Sequence, residues 1–171
     1  MRRESTPIIS GAVEGTVDEA VIRRLIHDAG ATPGPIYGRM GKGPLLKRLA
    51  GYNAAARFQP WIVLLDMDSD YSCAPPARRE WLPDPAEHMC FRIAVREVET
   101  WLLADVERMA RFLAVSRAIV PSRPDEDADP KARIVWLAGR SRSRPIRVDM
   151  VPGQHIPVIH NLKNRDYFQI S

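Results

Sequence analysis

Apolar residues along the chain fall into short continuous runs that alternate with stretches of helical period. Pro7 to Val13 (PIISGAV) is an apolar run stopped by Glu14-Gly15, and it reads as a buried strand. Thr16 with Glu19 forms a capping-box pattern, and Val21, Ile22, Leu25 and Ile26 then share one helical face up to Gly30. Pro35 to Tyr37 reads as a second short strand. Gly41-Lys42-Gly43 then opens a helix with Leu45, Leu46, Leu49 and Tyr52 at helical spacing.

The strongest strand is Trp61 to Leu65 (WIVLL), an unbroken apolar run of the kind found where both faces of a parallel sheet are covered. It ends in Asp66-Met67-Asp68-Ser69-Asp70. His88 to Val95 is a fourth strand, followed by a helical run from Glu97 to Leu113. Pro121 to Pro130 reads as a surface loop, and Asp129-Pro130 caps a last helix through Leu137. From Gly139 onward no period is sustained. The pattern therefore divides the chain into a domain over 1–138 and a basic, partly ordered tail over 139–171.

Strands alternating with helices predict an α/β fold with a mainly parallel four-stranded sheet flanked by helices, because parallel neighbours require crossover connections. In such sheets ligands lie beyond the carboxyl ends of the strands. Glu14 and the Asp66 cluster both stand at strand ends of that kind.

Composition narrows the class. With 171 residues, 45% of them hydrophobic, the chain is the size of one domain. No apolar run approaches the ~20 residues of a membrane helix, and the start MRREST has no apolar leader. A soluble cytoplasmic protein without a membrane partner is expected. Cys73 and Cys90 are too few for a disulfide framework and are expected to be reduced. The net charge of +4 comes from 25 basic and 21 acidic residues, too small an excess to identify a nucleic-acid binder. Its distribution is more telling: Arg133, Arg140, Arg142, Arg144 and Arg147 crowd one segment, and acids collect at Asp66, Asp68 and Asp70. Basic surface around an acidic cleft suits a polyanion brought to a metal. Trp61, Trp101 and Trp136 sit in apolar contexts and are expected in the core.

Three aspartates alternating after a buried strand repel one another unless a cation compensates them. Mg²⁺, with Mn²⁺ as a substitute, suits a site of a few carboxylates completed by water. In an extended segment Asp66 and Asp68 point to the same side and can reach one ion. Glu14 ends the first strand, and Asp18 four residues on either joins the same ion or serves the helix dipole. Glu19 is better read as a cap than as a ligand. Glu97 and Glu99 share a side if the strand persists to them and diverge by about 200° if a helix has begun, so that one of them reaches the site.

Strand-Glu14-Gly15 with Asp18, then WIVLLDMDSD, resembles the Toprim domain of topoisomerases, primases and overcoming-lysogenization-defect nucleases. VEGTVDE, GKGPLLKRL, LLDMDSD and REVETWLLAD together are similar to a bacterial Toprim-like family, domain-of-unknown-function family 4276, over about Ile8 to Leu137. After Met150 the chain departs from that family's pattern. The resemblance implies a Toprim-like, Rossmann-like fold with an acidic Mg²⁺ site acting on phosphodiesters. By that likeness Glu14 is the general acid/base or a ligand, Asp66 and Asp68 the metal pair, Asp70 an accessory, Asp18 a ligand of the nuclease branch, and Glu97 or Glu99 its later acidic position. Lys42, or an arginine such as Arg96, is expected to offset developing negative charge. The nuclease branch works with an ATPase, so an ATPase partner in trans is expected.

Two other readings fit parts of the same pattern. A strand ending in Asp-x-Asp also resembles haloacid-dehalogenase-like phosphatases, although Asp70 stands where that family places Thr or Val. A non-catalytic Toprim-like module, binding nucleic acid or a partner within a larger assembly, is the other.

Overall fold

A computed structural model describes residues 6–69 and 71–153. Strand β3 (Trp61–Asp66) is buried at every position, as its unbroken apolar run requires. It pairs in parallel with β1 (Ile8–Val13) on one side and β4 (Met89–Ala94) on the other. β2 (Thr32–Gly38) adds to the far side of β1, giving an all-parallel sheet of order β2-β1-β3-β4. The protein is thus an α/β protein with a Rossmann-like four-stranded sheet.

The order fixes the layers. From β1 the chain steps outward to β2 and then back across β1 to β3. Crossovers of one hand must therefore place the two connecting helices on opposite faces. Helix α1 (Thr16–Asp28) buries Ile22 and Ile26 on the face that carries Ile62 and Leu64 of β3. Helix α2 (Lys42–Ala55) buries Leu45 and Leu49 on the other, against Trp61, Val63 and Leu65. Successive β3 side chains thus feed alternate cores. Gly11 lets α1 approach: a Cβ there would lie 2.7 Å from Ile22 Cδ1.

β2 runs longer than Pro35–Tyr37. Thr32 and Pro33 pair with Ile8 and Ile9, and a proline is tolerated because the strand is an edge. Helix α3 (Ala74–Trp81), between β3 and β4, is not expected from the residue pattern. Pro75 and Pro76 occupy its first turn, where a missing N–H costs nothing.

The chain divides into two compact units, one ending at Val98 and one beginning at Glu99, so the boundary falls inside α4 (Val98–Ala104). The second unit is helical among its described residues. The expected single helix to Leu113 is broken at Asp105, whose carboxylate accepts from Arg108 N–H and caps α5 (Val106–Phe112). Asp129 likewise caps α6 (Pro130–Gly139), accepting from Ala132 N–H. Helix α7 (Arg144–Met150) extends regular structure into the stretch expected to be a tail. Leu103, Leu113 and Leu137 centre this unit's own core, with Ile146 and Met150 packed on it. Residues 154–171, the rest of that expected tail, lie outside the described residues.

Trp61 is buried as expected, but Trp101 and Trp136 are 38% and 39% exposed. Trp136 is held at the surface by its charged neighbours: the guanidinium of Arg140 lies 3.5 Å from the ring centroid and that of Arg133 5.4 Å. Cys73 and Cys90 are free. No helix among the described residues is long and apolar enough to cross a membrane.

Candidate functional site

The sheet order changes direction between β1 and β3, and the crevice in which open parallel sheets take ligands lies at the carboxyl ends of two such strands. Glu14 follows β1 and Asp66 ends β3. They meet there: Glu14 Oε1 accepts from Asp66 N–H at 2.9 Å. Asp66 is buried, and its Oδ1 accepts from Val98 N–H at 3.0 Å. Nothing in the residue pattern marks Val98, whose contribution is a backbone N–H.

Asp68 does not share an extended segment with Asp66. The ladder runs one step past β3, with Met67 N–H donating to Ala94 O and Asp68 N–H to Arg96 O. The backbone then turns, with Asp68 at φ 52°. Aspartate tolerates this left-handed conformation better than most residues. The turn carries its side chain outward, 46% exposed, to Lys42 Nζ at 2.5 Å. Lys42, the first residue of α2, also donates to Met67 O at 3.4 Å. It arrives there because the loop before α2 is tied over the end of β1, by Arg39 N–H to Val13 O and Gly41 N–H to Glu14 O.

Asp18 is buried and caps α1: its Oδ2 accepts from Gly15 N–H at 2.8 Å. The capping partner is therefore Asp18 with Gly15, not Glu19 with Thr16. Glu19 instead pairs with Arg23 and Arg39, at 2.8 and 2.9 Å. Glu97 belongs to the first unit, and its Oε2 is buried without a hydrogen-bond partner among the described residues. Glu99 belongs to the second unit, where it is buried with Lys131 Nζ 3.7 Å away. Asp70 lies outside the described residues.

Glu14 carries a shifted carboxyl. Burial pushes its carboxyl up from 4.5 to about 7, and the charges of Asp68 and Asp18 push the same way. The Asp66 N–H and the charge of Lys42 oppose them and lose. Among the described residues no three His, Cys, Asp or Glu side chains converge closely enough to hold a metal between them. Mg²⁺, however, needs only one or two carboxylates when water and a substrate phosphate complete its shell. An all-oxygen donor set whose central carboxyl is hard to ionise has the chemistry such an ion satisfies.

Fold and site thus define a parallel α/β protein with an acidic, lysine-bearing crevice at the β1/β3 switch point. Comparison with protein-family models, with curated proteins and with solved structures found no match.

Proposed function

We propose that the crevice is a Toprim-like, Mg²⁺-dependent site that cleaves phosphodiester bonds in nucleic acid. The observation that carries this is Glu14: a half-buried carboxyl at about 7, fixed to Asp66 N–H, with the charges of Asp68, Asp18 and Lys42 acting on it. A group balanced between its two forms at neutral pH is suited to take and return a proton. Oε1 being held by the Asp66 amide, Oε2 is the atom for that exchange. Asp66 and Asp68, with Glu14, would hold the ion, and Asp18 would complete it. When bound, Mg²⁺ supplies positive charge to a phosphoryl oxygen and lowers the pKa of an attacking water. Lys42 offsets charge developing on the phosphate, exchanging its bond with Asp68 for one with substrate. A cytoplasmic setting and an ATPase acting in trans belong to the same reading.

The test is plasmid nicking and single-strand degradation by purified protein with Mg²⁺ or Mn²⁺. Cleavage should be lost in Asp68→Asn and in Glu14→Gln, both of which keep the side-chain size. Undiminished cleavage by both variants would remove the assignment.

A second reading rests on a specific pairing. Lys42 already neutralises Asp68, and the Glu14 and Asp66 carboxylates already accept backbone N–H groups, as in a non-catalytic Toprim-like module. That reading requires nucleic-acid binding without cleavage and no divalent-ion uptake by calorimetry. A haloacid-dehalogenase-like phosphatase would need Asp66 as an open nucleophile, and its burial against Val98 N–H argues against that role.

A further inference from the structure

The carboxylate crevice leaves the outer edge of the first unit unexplained. Among the described residues β4 is an edge strand, bonded to β3 alone, and α3 lies against it. An open groove of about 340 Å³ runs between them. Its apolar floor is Phe91 and Ile93 of β4, with Ala74 from the first turn of α3. Its rim is Arg78, Arg79 and Arg92, all exposed.

Three guanidinium groups around one depression repel each other, and among the described residues no acidic side chain lines it to compensate them. None of the three makes an ion pair among the described residues; Arg92 Nη1 donates only to Phe91 O, at 3.2 Å. Guanidinium forks match phosphate oxygens in pairs. Phe91 is 1% exposed, so the apolar contact open to a base or sugar is made by Ile93, Ala74 and Pro75. Charge and shape together ask for a nucleotide unit, and the volume falls in the range of about 300–1,000 Å³ usual for such ligands.

The groove also adjoins the crevice. Ile93 pairs with Leu65 and Ala94 with Asp66, so its floor is the next strand over from the carboxylates. The other end of α3 carries Trp81, whose ring centroid is 5.4 Å from Lys42 Nζ. We propose that the α3/β4 groove seats a nucleotide of a single-stranded nucleic acid, next to the one presented to Glu14, Asp66 and Asp68. This deepens the phosphodiester reading and rests on it for what lies at the neighbouring site.

The test is fluorescence anisotropy with a short labelled single-stranded oligonucleotide in EDTA, so that binding is read without cleavage. A triple variant, Arg78→Gln with Arg79→Gln and Arg92→Gln, alters exposed side chains only, and a matching melting curve confirms its fold. Arg24→Gln, on the α1 face of the sheet, is the control. The triple variant should bind at least tenfold more weakly. The slope of log K against log salt should fall by about 2, at ~0.7 for each phosphate no longer neutralised. Affinity and slope equal to the control would overturn the groove. So would displacement of the oligonucleotide by a mononucleotide at equal concentration, which would make the occupant a free nucleotide. Weakened binding by the triple variant in a protein that never cleaves would keep the groove and dismiss the nuclease; cleavage with unaltered binding would do the reverse.

Discussion

Replacing Glu14 by glutamine removes one titrating group and keeps an oxygen able to accept the Asp66 N–H. The carboxyl is raised in the folded protein, from 4.5 to about 7, so folding favours its protonated form. The stability this contributes is fully present below pH 4.5 and is lost as pH rises through about 7. At about 1.4 kcal/mol per tenfold change in proton affinity, the full loss is about 3 kcal/mol. Glu14 is partly open to solvent, and screening reduces this to about 2 kcal/mol. Urea unfolding of the native protein and Glu14→Gln at a series of pH values measures it as a difference. The two should be nearly equally stable at pH 4.5, with the variant ahead by about 2 kcal/mol at pH 8. A saturating divalent ion should narrow that gap at pH 8, since it replaces the proton in compensating the carboxylate. A gap that stays constant with pH, or that closes as pH rises, would refute the account of Glu14.

Four further outcomes follow from the same geometry. Lys42→Met removes a charge that lowers the Glu14 pKa, so a carboxyl ¹³C titration should place Glu14 above its native value of about 7. Asp66→Ala leaves the buried Val98 N–H without its acceptor and should cost about 1–3 kcal/mol in urea unfolding, whereas Asp66→Asn keeps an acceptor and should cost less. Gly38→Ala puts a Cβ 2.1 Å from Val13 O at φ 95°, and a loss of about 2 kcal/mol or more is expected by the same measurement. Leu64→Ala, at a site 1% exposed, should cost about 2–5 kcal/mol and lower the melting temperature accordingly.

Three of the four strands are legible in the residue pattern to within a residue or two: β1 and β3 are apolar runs ended by an acid, and β4 is a mainly apolar run interrupted by Arg92. The fourth, β2, is legible only at its centre. Its proline- and glycine-rich start makes sense only once it is known to be an edge. Helix α3 is hidden because prolines that stop a helix in its interior are harmless in its first turn. Glu14 and Asp66 stand out by their positions at strand ends, and they do touch. Asp68 escapes the pattern because residue spacing assumes an extended backbone, and a single φ of 52° redirects the side chain. Spacing alone favours Glu19 over Asp18 as the cap, since it does not show the arginines that claim Glu19; Arg39 stands twenty residues away in the chain. The arginines of the α3/β4 groove carry no local motif. They are brought together by the unforeseen helix.

The linkage from Glu14 through the Asp66 amide and carboxylate to the Val98 amide gives the protein two built-in reporters. Both amide protons lie on carboxylate oxygens, so their nitrogen and proton chemical shifts should respond to any change of charge in the crevice. A titration of labelled protein with an ion or nucleotide can be followed at Asp66 and Val98 without attaching a probe. Occupancy would then be read from the backbone itself.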